Sequence, residues 1–188
     1  MSVRSSNPAR QSGSSLIEVL IAMFLVAVTM LGLLGLQLRA LGLQKDSLDR
    51  RAAAVLVSGF ADHITMNFQA FSLGRFGSNT ANVMAMAPSS NVPSLPSDCD
   101  SASDACNPTD AARREFALFA GAVRARLPDG GAWVTSNSNR AEITVAWRDV
   151  RRTDERSGGV ATTDVDPICT NVGLDDANFR CYRARVAP

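Results

Sequence analysis

Gly13-Ser14-Ser15-Leu16-Ile17-Glu18-Val19-Leu20-Ile21-Ala22 sets a glycine and a lone carboxylate at the edge of an uncharged apolar run, residues 19–36, interrupted only by Thr29, Gly32 and Gly35. As an α-helix rising 1.5 Å per residue, this run spans roughly 27 Å, close to the thickness of a hydrocarbon core. The residues before Ser14 carry Arg4 and Arg10 and no acid. By the positive-inside rule the start of the chain stays in the cytoplasm and everything after the span is exported. A secretory signal peptide fits less well. The run is long for such a segment, and bulky Leu38 sits two residues before Ala40, the best small-residue cleavage candidate. A charge at the bilayer centre costs about 2.5–3.5 kcal/mol on insertion scales and less near the interface, so Glu18 calls for a partner.

Working outward, the apolar pattern does not stop at the membrane. Leu48, Ala52, Val55, Leu56, Phe60, Ile64, Phe68 and Phe71 recur near a 3.6-residue period, with Lys45, Asp46, Asp49, Arg50 and Arg51 on other faces. The spacing predicts one helix over 14–73, lipid-buried in its first half and packed on a soluble domain in its second. His63 lies at the edge of this stripe as a structural side chain, since no cysteine or carboxylate follows at metal-ligand spacing.

The whole chain of 188 residues has 19 basic and 18 acidic side chains and a formal net charge of +1. That balance excludes a globally basic nucleic-acid binder and an acidic solvating tail. With one histidine and four cysteines, triad or histidine-centred metal chemistry has little to build with, and neither an enzyme nor a cofactor is expected.

Residues 74–108 read as a long Ser-, Asn-, Pro- and Gly-rich connector. A helix follows, with Asn107 as N-cap, Pro108 first, Asp110 in the first turn and an apolar stripe of Phe116, Phe119, Ala120, Val123 and Leu127. Pro128-Asp129-Gly130-Gly131 ends it. Strands are expected at 132–135 and 141–147, joined by a polar turn at 136–140, with Ile143, Val145 and Trp147 on one face. Residues 149–166 read as a charged connection with one irregular strand. A last strand at 179–186 turns Tyr182, Ala184 and Val186 inward and Arg183 and Arg185 outward. The expected class is α+β: a long N-terminal helix, transmembrane then amphipathic, packed on a small antiparallel sheet with one additional helix.

Four cysteines beyond a membrane span suit an oxidising compartment as two disulfides, and they allow three connectivities. Local closure, Cys99–Cys106 and Cys169–Cys181, is expected because each short loop closes without rearranging the sheet. The spacings lack the Cys-x2-Cys knuckle of a zinc site.

With these residues in view, the chain resembles the type IV pilin superfamily of pilus subunits, minor pilins and the pseudopilins of type II secretion. The resemblance rests on Gly13, Leu16, Ile17 and Glu18 at the family's spacing, followed by the apolar helix. It implies that a membrane-embedded prepilin peptidase cuts between Gly13 and Ser14 and methylates the new amine of Ser14, where the family commonly has Phe or Met. It further implies division into a leader (1–13), a transmembrane and filament-core helix (14–43) and a periplasmic or extracellular head (44–188). Glu18 then serves as a register key, neutralised by the terminal amine of a neighbouring subunit.

The block from Phe116 through Leu127-Pro128-Asp129-Gly130-Gly131 to Ile143-Thr144-Val145-Ala146-Trp147 is similar to the heads of PilV-type minor pilins, often called pilus modification proteins. This branch implies a subunit that primes or modifies type IV pilus assembly at or near the filament tip. It would reside first in the inner membrane and then on the cell surface, with other minor and major pilins as partners. The alternatives are a minor pseudopilin and a membrane-tethered binding module outside any filament. The module's ligand surface would lie around Arg180, Arg183 and Arg185, although such arginines more often form a solvated face that blocks edge pairing than touch nucleic acid.

Overall fold

A computed structural model describes residues 16–77, 83–96, 106–137, 139–149 and 165–187. Gly13, Ser14, Cys99 and most of the 149–166 connection lie outside the described residues. The chain divides into two units, Met1–Leu43 and Gln44–Pro188.

Helix α1, Leu16–Met66, is 51 residues long. The first unit consists of its N-terminal part, rich in leucine, alanine and methionine, all good helix formers. The one hydroxyl of the apolar run is satisfied internally, because Thr29 Oγ1 donates to the Val26 carbonyl at 2.8 Å.

In the second unit, α1 buries Ala53, Val57, Phe60 and Ile64. The buried stripe differs in phase from the one expected. Leu48 and Val55 are 62% and 57% exposed, because at 100° per residue they fall on the side opposite Val57. The helix also stops at Met66, short of residue 73. Asn67, at φ −96° and ψ 48°, donates both its backbone N–H and its side-chain amide to the His63 carbonyl, each at 3.1 Å. The break falls at Asn67 itself, whose positive ψ takes its carbonyl out of the helix line. A short helix α2, Phe68–Ser72, restarts with Ala70 and Phe71 buried and leaves Phe68 exposed. A 3-10 turn, Arg75–Gly77, then buries Phe76.

The expected connector contains a strand. β1, Val83–Met86, joins β2, Gly131–Asn137, β3, Arg140–Arg148, and β4, Phe179–Val186, in an antiparallel sheet of order β1-β2-β3-β4. Pairing of β2 with β3 runs on to Asn137↔Arg140, so the turn is tighter than residues 136–140. Helix α3, Pro108–Arg126, is capped by Asn107, whose side chain accepts from the Thr109 and Asp110 amides. A four-residue helix α4, Pro167–Thr170, is capped by Asp166. The head therefore has additional helices where one was expected.

Both faces of the sheet are covered in part. Ala132, Val134, Ile143, Val145 and Trp147 meet the stripes of α1 and α3 in the main core. There Phe60 stacks on Phe119 at 4.3 Å and meets Phe76 edge-on at 6.0 Å. On the reverse face Trp133, Ala146, Cys169, Phe179 and Cys181 form a smaller cluster with Ile168, Val172 and Leu174. Strand alternation accounts for the division, since Phe179 and Cys181 have the parity opposite to Ala184 and Val186. Ala184 and Val186 pack on the main core, whereas Tyr182, expected inward, is 36% exposed.

Candidate functional site

The residues singled out for assembly lie at the start of α1. Glu18 is in its first turn, where a carboxylate suits the positive end of the helix dipole. The surface that follows is bare. Leu16, Phe24 and Leu38 are 84%, 68% and 71% exposed, and among the described residues none of the apolar window is buried. The helix is long and apolar enough to cross a membrane.

In the head, the loop after β1 is fastened to the end of α3 by Asp129, a residue at φ +50°. Its carboxylate accepts from the Ser89 amide (2.8 Å) and hydroxyl (2.9 Å) and pairs with Arg148 (2.7 Å) and Arg124 (3.3 Å). Arg124 also donates to the Ala87 and Ser90 carbonyls, at 3.1 and 2.8 Å. Gly130 follows because a Cβ there would lie 2.7 Å from the Val123 carbonyl oxygen, and Gly131 because a Cβ would lie 2.7 Å from the Trp133 ring. Locally, Pro128-Asp129-Gly130-Gly131 reads in sequence as a helix stop. Its second role as a fastening depends on Ser89, forty residues away, and no local pattern signals such a partner.

Arg180, Arg183 and Arg185 do not form a free basic surface. Arg180 pairs with Asp149 at 3.3 Å, and Arg183 and Arg185 share Glu142 at 3.2 and 2.9 Å. The pairing follows from register, because Glu142 lies opposite Arg185 and diagonal to Arg183. His63 Nδ1 lies 2.9 Å from Glu115 Oε2, tying α1 to α3 as a structural side chain. Cys169 and Cys181 are joined with Cα atoms 5.4 Å apart, which fixes α4 over the reverse face of β4. Cys106 is disulfide-bonded, while Cys99, and with it the expected Cys99–Cys106 pair, lies outside the described residues. Among the described residues no group of three His, Cys, Asp or Glu side chains is placed to hold a metal ion.

Burial raises the pKa of Asp129, but hydrogen bonds from Arg148 and Ser89 outweigh it and hold the carboxyl below its ordinary 3.8. At Glu142 burial again raises the pKa, and bonds from Arg185 and Arg183 bring it below 4.5. A carboxyl whose folded pKa is depressed contributes stability that is fully present above its unfolded value and is lost as pH falls through the folded value. Asp49 acts in the opposite sense. Burial, with the charges of Asp46 and Asp149, raises its pKa against the influence of Lys45, so its protonation returns stability. With two carboxyls against one, the melting temperature of the head is expected to fall as pH drops below about 4.5. Asp129→Asn should flatten that fall and cost about 1–2 kcal/mol at neutral pH, measurable by thermal melts across pH.

An apolar span followed by an α+β head with its own core fits a membrane-anchored protein. Residues 8–34 match the family model of the prokaryotic N-terminal methylation motif, which supports a type IV pilin-like protein. The matched region contains Gly13, Ser14 and Glu18 and leaves the head uncovered. Comparison with curated proteins and with solved structures finds no match. The motif implies processing by a prepilin peptidase and assembly with other pilins in a membrane.

Proposed function

We propose that this chain is a minor pilin, a non-enzymatic structural subunit that primes or modifies type IV pilus assembly at or near the filament tip. One observation carries the reading: Gly13, Leu16, Ile17 and Glu18 fall inside the matched methylation motif, and Leu16 opens a helix long and apolar enough to cross a membrane. In this reading the leader is cut after Gly13 and the amine of Ser14 is methylated. The helix stays in the inner membrane until assembly, and the head moves from the periplasm to the cell surface. The carboxylate partners of Arg180, Arg183 and Arg185 weigh against a membrane-tethered module that binds anions through those arginines. A pseudopilin shares the same N-terminal motif, and recovery with pili or with a secretion apparatus separates the two.

Processing makes an expected result. Removing 13 residues leaves 175 and takes away Arg4 and Arg10, so the formal charge goes from +1 to −1. Intact mass of membrane-extracted protein should give a chain that starts at Ser14. A species that keeps its leader beside an active prepilin peptidase, or that starts beyond Ala40, removes the pilin reading.

The head adds a second expectation. Produced as residues 44–188, it should fold in solution with Cys99 bonded to Cys106 and Cys169 to Cys181. Each bond is worth on the order of 2–3 kcal/mol in the chain-entropy model. Peptide mapping without reduction checks the pairing, and a peptide linking Cys99 to Cys169 or Cys181 refutes it.

A further inference from the structure

The loop that Asp129 and Arg124 fasten continues as Asn91-Val92-Pro93-Ser94-Leu95-Pro96, which is neither helix nor strand. Proline holds its own φ at about −65°, and the residue before a proline is driven to extended or polyproline II backbone. Both rules act twice here, on Val92-Pro93 and on Leu95-Pro96. Burial follows the same period. Pro93 and Pro96 are half-buried, whereas Asn91, Val92, Ser94 and Leu95 are exposed, and a polyproline II helix repeats about every three residues. One edge of this strap therefore rests on the head. Val92 and Leu95 make a second edge, 40% and 49% exposed. An ordinary covering loop buries its large apolar side chains, and this one leaves both in solvent.

The strap is held in place within the free protein. Its start is tied by Ser89 to Asp129 and by Arg124 to the Ala87 and Ser90 carbonyls. It then crosses α3 at Gly121, where a Cβ would lie 3.8 Å from Val92 Cγ1. We propose that the strap is a preformed recognition segment for a second protein, docked along Val92-Pro93 and Leu95-Pro96 by a groove lined with tyrosine or tryptophan rings. Aromatic-lined grooves take Pro-x-x-Pro segments because the polyproline II helix is already ordered and little conformational entropy is lost on docking. Pro93 to Pro96 has that spacing. The fastening at Asp129 and Arg124 lowers the cost further by ordering the segment beforehand. No residue from Ala87 to Ser97 is charged, so the recognising surface is aromatic rather than ionic. Strand addition is the other way to read an extended segment, and Pro93 and Pro96 lack the amides it needs.

The strap belongs to the head, and the inference stands apart from the assembly reading above. Its test uses the full-length protein in its native cells, with a photoreactive benzoylphenylalanine in place of Leu95 or, as a control, in place of exposed Arg140. Illumination at position 95 is expected to give a defined product at least tenfold above position 140, joined to partner residues beside tyrosine or tryptophan. Pro93→Ala with Pro96→Ala keeps Val92 and releases the backbone. The product should then fall at least tenfold at an unchanged level of protein in the membrane. A synthetic peptide of residues 91–97, added to solubilised membranes, should compete, and its version with alanine at both prolines should not. Asp129→Asn should lower the product severalfold by loosening the start of the strap. A product that survives both proline changes is general apolar contact and overturns the proposal. Cross-links to surfaces without aromatic rings, or no product above the control, overturn it as well.

Discussion

In cells that lack the native copy, Glu18→Gln protein is expected to reach the membrane with a folded head and a Ser14 start, yet to drop out of surface filaments by at least about tenfold. The substitution keeps the size of the side chain and removes its charge, so insertion becomes easier if anything. The head core, built on residues from Ala53 onward, does not include position 18. On the proposed reading, what is lost is a neutralising partner for the terminal amine of a neighbouring subunit. Removing one member of a buried pair costs on the order of 3–5 kcal/mol, and 1.4 kcal/mol is already a factor of ten. Quantitative blotting of sheared filaments against membranes gives the ratio. Incorporation at the level of the unaltered protein would show that head contacts alone hold the subunit and that Glu18 is only an interfacial acid.

Phe60→Ala should have the largest effect on the head itself. Phe60 is 3% exposed, stacked on Phe119 of α3 and set edge-on to Phe76 of the 3-10 turn. Truncation opens a cavity where α1, α3 and the turn converge, and such changes cost about 3–5 kcal/mol. A domain's whole stability is usually about 5–15 kcal/mol. The melting temperature of the 44–188 fragment should therefore fall by roughly 10–20 °C. Val55→Ala, on the exposed side of the same helix, should shift it by no more than about 2 °C. Equal losses at the two positions would mean that the stripe is misplaced.

Those two positions also show where sequence reading loses precision. Phe60 and Val55 both belong to an apolar pattern of helical period, and both were expected in the core. Periodicity establishes a helix with apolar residues on it, but α1 carries two apolar seams, and only packing against α3 and the sheet selects Ala53, Val57, Phe60 and Ile64. The Asn67 break was likewise illegible, because asparagine is tolerated within helices and only the packing of Ala70, Phe71 and Phe76 into the core redirects the chain there. β1 was missed for a related reason. Four residues inside a polar connector give no alternation long enough to read, and their pairing with β2 is contributed by β2.

What the sequence by itself determined are the features decided by neighbours along the chain. They comprise the length of the apolar run, the Gly13-to-Glu18 spacing, the Asn107-Pro108 start of α3 and the alternation of β3 and β4. Each rests on local chemistry: the rise of a helix, the orphan amides of its first turn, the period of a strand. Tertiary structure alone decided which seam of α1 is buried and that Asp129 fastens the loop after β1. It also decided that Arg183 and Arg185 share Glu142 as their partner. These depend on groups forty or more residues apart, and their charge and burial become defined only when the strands set the register that brings them together.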